Sequence, residues 1–209
     1  MNTNVKAGPP TFKLVLLGDG RVGKTSLVLR YVNNVFSDSQ AATIQASYLT
    51  KRLNISGTIL TLSIWDTAGQ ERFHALGPIY YRDADAALLV YDIMDKDSFT
   101  RVRNWVKELR QMASKNIILA IAANKSDLVR SQKIDLQEAE RYAESIGAKH
   151  FVTSAKLNTG IEQLFLDIAT RALEKRKIIM EELSSIPQKK GMVIIDEQPA
   201  PPPQSKCCS

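Results

Sequence analysis

The 209-residue chain predicts an α/β fold in three layers: a six-stranded, mostly parallel sheet with about five helices. Three observations carry that prediction. Short apolar runs alternate with segments of helical periodicity from Phe12 to Ala172, the pattern of repeated strand–helix units. The run Ala86-Ala87-Leu88-Leu89-Val90-Tyr91 is apolar throughout, as in a strand covered on both faces. Tyr48–Ile55 and Thr58–Trp65 flank the turn pair Ser56-Gly57, which predicts a hairpin and one antiparallel strand at a sheet edge.

Taken in order, Phe12–Leu17 reads as a buried strand and about Lys24 to Asn34 as a helix. The polar stretch Phe36 to Thr43 has little periodicity and reads as a loop, before the hairpin. After the strand Ala86–Tyr91, the residues Phe99, Val102, Trp105, Val106, Leu109 and Met112 recur at helical spacing, with Asp97 and Ser98 as capping candidates. Ile117–Ala123 is a further buried strand. Asp135 can cap a helix that runs to Ile146 and ends at Gly147. His150-Phe151-Val152 is a short strand, and Ile161, Leu164, Phe165, Ile168, Ala169 and Ala172 stripe a last helix. From about Ile186 the pattern dissolves, and Pro199-Ala200-Pro201-Pro202-Pro203 predicts an extended tail. The expected division is a flexible N-terminus over 1–10, a folded domain over 11–178 and a largely disordered tail over 179–209.

Bulk composition narrows the class. Hydrophobic residues make up 44% and charged residues 24%, as in an ordinary globular domain. The net charge of +6 raises nucleic acid as a partner, but the longest basic run is Lys175-Arg176-Lys177 and no aromatics interleave with basic residues. A mildly basic solvated surface, without nucleic acid, is the expectation. No apolar stretch reaches the length of a membrane span, and Met1 to Pro10 lacks the apolar core of a secretory signal. The two cysteines, Cys207 and Cys208, stand side by side near the end and can build no disulfide framework.

The chemistry begins at Gly18-Asp19-Gly20-Arg21-Val22-Gly23-Lys24-Thr25, which fits the phosphate-binding P-loop pattern G-x-x-x-x-G-K-[ST] between a strand and a helix. Loop and helix-start N–H groups converge on one spot, and the helix dipole favours an anion there. Lys24 supplies a point charge for the outer phosphates, and the Thr25 hydroxyl can ligate Mg²⁺. Together with Ser26, these residues form the first candidate nucleotide contacts. Asp66-Thr67-Ala68-Gly69-Gln70 follows another strand. There Asp66 can hold Mg²⁺, Gly69 can offer its N–H to a γ-phosphate, and Gln70 can align a water for in-line attack.

Asn124-Lys125-Ser126-Asp127 follows the strand Ile117–Ala123. The Asp127 carboxylate offers two acceptors side by side, matching the N1–H and N2–H₂ donors of guanine, which adenine lacks. The Lys125 stem can lie over the base, and Asn124 can tie this loop to the P-loop. Ser154-Ala155-Lys156 is either an ordinary turn or a base contact through the Ala155 N–H. Phe36 is either an aromatic wall for the base or core, and Thr43 is a candidate second hydroxyl for Mg²⁺. A P-loop kinase or ATPase is the rival enzyme class; it needs an acceptor site or lid, and no inserted segment offers one. A GTP-binding scaffold without turnover is the rival non-enzyme class, and Gly20, Thr43 and Gln70 argue against it.

These motifs together resemble the P-loop small GTPases of the Ras superfamily and, within it, the Rab family, over about Phe12 to Ala172. Rab-like signatures are Trp65-Asp66-Thr67-Ala68-Gly69-Gln70-Glu71-Arg72-Phe73, Tyr80-Tyr81-Arg82-Asp83-Ala84 and Leu89-Val90-Tyr91-Asp92. Thr43-Ile44-Gln45-Ala46-Ser47-Tyr48 is most similar to the endocytic Rab subgroup numbered twenty-one. The resemblance implies GTP or GDP with Mg²⁺ in a GTPase domain over 11–178, and slow hydrolysis that a GTPase-activating protein accelerates. It makes Lys24, Thr43 and Gln70 the catalytic set, with Thr43 in switch I, Gln70 in switch II, and Thr25, Thr43 and Asp66 at the metal. Two departures stand out: Gln45 and Asp83 occupy places where many Rabs carry glycine. The end Lys206-Cys207-Cys208-Ser209 resembles a double-geranylgeranylation signal, and two lipids hold a membrane stably where one does not. The implied partners are an exchange factor, an activating protein, effectors reading both switches, a GDP-dissociation inhibitor and an escort protein. The implied location is the cytoplasmic face of intracellular membranes, early endosomes in particular, with a cytosolic inhibitor-bound pool.

Overall fold

The computed structural model describes residues 8–69 and 77–185. Gln70, Cys207 and Cys208 therefore lie outside the described residues, as does the tail beyond 185. Among the described residues six strands form one sheet in the order β2-β3-β1-β4-β5-β6. They are β1 (Thr11–Leu17), β2 (Ser47–Ile55), β3 (Thr58–Asp66), β4 (Ala86–Asp92), β5 (Ile118–Asn124) and β6 (Lys149–Val152). Only β2 runs antiparallel, paired to β3 at one edge through the expected hairpin. The other pairings are parallel, so the carboxyl ends of β1, β3, β4, β5 and β6 share one edge of the sheet.

Among the described residues five α-helices cover the faces: α1 (Lys24–Asn33), α2 (Gly77–Tyr81), α3 (Lys96–Met112), α4 (Leu136–Ser145) and α5 (Ile161–Ser185), with a 3₁₀ turn over Ser126–Ser131. Alternation along the strands divides the core in two. Leu14 and Leu16 of β1 point to the side of α1 and α5, where Leu27, Phe165 and Ile168 close the layer. Val15 and Leu17 point to the opposite side, against Val102, Val106 and Leu109 of α3 and Ala139 and Ala143 of α4. Every residue of β4 is buried, in keeping with its unbroken apolar run. Tyr31 of α1 stacks on Phe165 of α5 with ring centroids 3.9 Å apart, locking the two helices of one layer together.

One reading of a helix start needs correction. The cap of α3 is Asp95, whose side chain accepts from the Asp97 N–H at 3.0 Å. Asp97 and Ser98 sit inside the first turn, and the buried Ser98 hydroxyl donates to the Asp95 carbonyl at 2.7 Å. Helix α5 runs to Ser185, so residue 178 falls inside it. Its buried stripe ends at Leu173, but the Glu, Lys, Arg, Met and Leu residues that follow are good helix formers and carry it on. Asp135 caps α4 as expected, accepting from the Gln137 N–H at 2.9 Å. Asp83 adopts φ 56°, the left-handed conformation that glycine takes without cost, so its short polar side chain is tolerated rather than favoured. No described helix is long and apolar enough to cross a membrane.

Candidate functional site

Four connections leave the shared edge of the sheet and meet over it, where parallel sheets hold ligands. They follow β1, β3, β5 and β6 and, with the loop between α1 and β2, line a cleft of about 1070 Å³. Asp19, Gly20, Arg21, Gly23, Lys24, Thr25 and Ser26 line one end. Asn124, Lys125, Asp127, Ala155 and Lys156 line the other, and Phe36, Thr43 and Gly69 also border the cleft. Gly18, Val22, Asp66 and Ser154 stand behind this lining and shape it.

The phosphate-loop end depends on backbone that a side chain would spoil. Gly18 has φ 140°, and a Cβ there would run into the Val90 carbonyl of β4. Gly23 has φ 94° and caps α1 without a side chain, and no acid stands in the first turn. The first N–H groups of α1 are thus left facing the cleft, where an anion can take them. Gly69 lies against the Asp19 carbonyl and the Lys24 ammonium, leaving no room for a Cβ.

Lys24 is 5% exposed, with Nζ donating to the carbonyls of Gly18 at 2.8 Å and Asp19 at 2.9 Å. Burial lowers its pKa to about 8, against the pull of Asp66 and Asp19. Beside it, the Thr25 hydroxyl lies 2.6 Å from the Thr43 hydroxyl and donates to Asp66 Oδ2 at 2.7 Å. Asp66 is 1% exposed, and its Oδ1 has no partner among the described residues. Burial raises its pKa, with Thr25 and Lys24 opposing. A buried carboxylate with one unpaired oxygen next to two hydroxyls is the donor set of a hard cation, so these residues fit Mg²⁺.

The opposite end is held by longer reaches. Asn124, 1% exposed, donates from Nδ2 to the Val22 carbonyl of the P-loop at 2.9 Å. Its Oδ1 accepts from Thr153 Oγ1 at 3.3 Å. Asp127 Oδ1 accepts from the Ser154 hydroxyl at 2.5 Å, so Ser154 acts on the carboxylate rather than on the cleft. Lys125 adopts φ 66° and pairs with Asp92 at the end of β4, 2.7 Å away. Phe36 lines the cleft and packs on the core cluster of α1 and α5.

Two arginines were not legible as site residues. Arg30 of α1 donates from Nε to the Ala155 carbonyl at 2.9 Å and from a terminal nitrogen to the Lys156 carbonyl at 3.3 Å. It also reaches the Asn34 carbonyl at 3.1 Å and lies 5.7 Å from the Phe36 ring centre. One guanidinium thus ties the wall of the cleft to the loop after β6. Arg101 of α3 pairs with the Asp19 carboxylate and lines the cleft. Each contact spans a long stretch of sequence, and no local motif announces it.

A model of the Ras family matches residues 13–174. Among similar proteins, Ras-related protein Rab-21 of Homo sapiens is 57% identical over 205 residues, covering 95% of this chain and 91% of its own length. Ras-related protein Rab-21 of Mus musculus is 54% identical over 204 residues, covering 95% of this chain and 92% of its own. Ras-related protein Rab-21 of Dictyostelium discoideum is 56% identical over 163 residues, with 78% and 77% covered.

Proposed function

The chain belongs to the Ras family and, within it, to the Rab small GTPases, and on that premise we propose how its cleft handles GTP and where the switch acts. The carrying observation is the convergence of Lys24, Thr25, Thr43 and Asp66 at one end of a cleft whose other end presents Asp127. GTP lies along the cleft with its phosphates on the N–H groups of Gly20 to Ser26. Lys24 exchanges its carbonyl contacts for phosphate oxygens, which hold its proton in place. Thr25, Thr43 and Asp66 would hold Mg²⁺, which when bound would supply positive charge to neutralise the phosphates.

Guanine is selected at the other end. Ser154 donates to one oxygen of Asp127 and fixes the plane of the carboxylate. That plane accepts from N1–H and N2–H₂ of guanine, while adenine would leave a carboxylate unpaired. Phe36 and the Lys125 stem flank the ring. Hydrolysis is attack of water on the γ-phosphorus, breaking its bond to the bridging oxygen and releasing GDP and phosphate. Gln70 orients that water, a role read from the sequence. Thr43 and Gly69 report the γ-phosphate, Thr43 from the loop between α1 and β2.

Regulators and effectors follow from membership of the Rab family. The finer reading adds effectors at the loop carrying Thr43 and at the segment after Gly69, an inhibitor and escort protein for the lipidated tail, and double prenylation of Cys207 and Cys208. The endocytic likeness favours early endosomes. Competition for bound GDP tests the base assignment: GTP displaces it, and ATP at equal concentration does not. Displacement by ATP would sink the assignment of Asp127.

A further inference from the structure

An acid in a phosphate loop is electrostatically misplaced. Asp19 is the second residue of the P-loop, and its own carbonyl accepts from Lys24 Nζ at 2.9 Å. Its charge is felt by Lys24, and a carboxylate lining a phosphate-binding cleft repels the phosphates it receives. The structure holds an answer 82 positions further on, where the Arg101 guanidinium meets Asp19 Oδ2. Arg101 projects from the second turn of α3, whose opposite face, Phe99, Val102 and Val106, is buried against the sheet. The cation is therefore offered from a fixed element rather than a loop. The other acids lining the cleft are also held: Asp38 by Lys156 at 3.0 Å and Asp127 by Ser154 at 2.5 Å. Arg101 is 48% exposed and Asp19 17% exposed, so as a mere tie the pair contributes little to stability.

We infer that Arg101 is a positioning residue of the phosphate site, cancelling the charge of Asp19 so that the loop presents a net positive field to the phosphates of GTP and GDP. The inference rests on the reading of the cleft as the GTP site. Charge cancellation and mechanical tethering predict opposite signs for one of the two single substitutions. Under cancellation, Arg101→Ala exposes the acid and loosens nucleotide, whereas Asp19→Asn removes the acid and tightens it. Under tethering, both loosen it.

The test is release of a fluorescent GDP analogue from the full chain, followed by stopped flow at low and high salt. Arg101→Ala should speed release roughly three- to tenfold at low salt, with the difference shrinking as salt screens it. Asp19→Asn should slow release, and the double variant should return close to the parent rate. Arg101→Lys, which keeps the charge and loses the fork, should also stay close to the parent. Thermal melts of each variant separate this from unfolding, because neither residue belongs to the core. Equal acceleration by both single variants, or no change in Arg101→Ala, overturns the inference while leaving the GTP reading intact. Failure of the parent protein to hold the analogue overturns both.

Discussion

The two ends of the cleft are built by opposite means. At the phosphate end the contacts are exchangeable: Lys24 takes carbonyls of its own loop, and Thr25 links Thr43 to Asp66, whose Oδ1 has no partner among the described residues. At the base end they are tied to distant parts of the fold, through Arg30 to Ala155, Ser154 to Asp127 and Asn124 to Val22. The first arrangement can be exchanged for substrate oxygens, because each partner lost is replaced by another. The second is a frame that stays as it is and selects. A switch needs both: an end that differs with the number of phosphates and an end that does not.

Breaking the exchangeable end should have the largest effect. Lys24→Ala should weaken GTP and GDP binding by roughly a hundredfold or more, since a buried charge-assisted contact of this kind is worth about 2–5 kcal/mol. Calorimetric titration with each nucleotide measures it, and an unchanged affinity would remove Lys24 from the site. A gentler form of the same break comes from pH. In the free protein Lys24 titrates at about 8, so above that pH binding must first return a proton to it. Affinity for GTP should therefore fall as pH rises through about 8, by up to about tenfold per unit. The sign reverses for folding: the unfolded chain binds the proton more tightly, so this group adds stability to the free protein as pH rises from about 8 toward the ordinary lysine value of 10.5. Selection of guanine over adenine should not move with either change.

The frame should yield a smaller and different effect. Arg30→Ala removes two hydrogen bonds to the loop after β6 and the contact with Phe36. GDP release should quicken about fivefold, with turnover at saturating GTP unchanged, because the phosphate end is intact. A loss of turnover without faster release would mean that Arg30 acts on the chemistry instead.

Much of this was legible in the sequence because it is local. The glycine spacing from Gly18 to Gly23, Asp66 at the end of β3 and Asp127 after β5 all lie within a few residues of a strand end. The parallel sheet then brings those ends together without further instruction. Arg30 and Arg101 were not legible, because each acts on a segment that only tertiary packing brings near. The cap of α3 was misplaced because Asp95, Asp97 and Ser98 are all good cap formers. Ser98 is taken up by a buried bond to the Asp95 carbonyl, which fixes the helix start earlier. The apolar stripe of α5 fades after Leu173 while its helix formers continue to Ser185, in keeping with a pattern that dissolves from about Ile186.

Base selection and phosphate chemistry are separable properties of the two ends of the cleft. Asp127→Asn tests it most directly, since the amide replaces one acceptor by a donor and so matches the carbonyl that xanthine carries where guanine has its amino group. The measurement is turnover of GTP and of xanthosine triphosphate by this variant with Mg²⁺ present. This variant should use GTP roughly a hundredfold more weakly at limiting concentration, and should turn over xanthosine triphosphate at the parent's maximal rate in a Mg²⁺-dependent way. Unchanged use of GTP, or loss of turnover with both substrates in a folded variant, would contradict that separability.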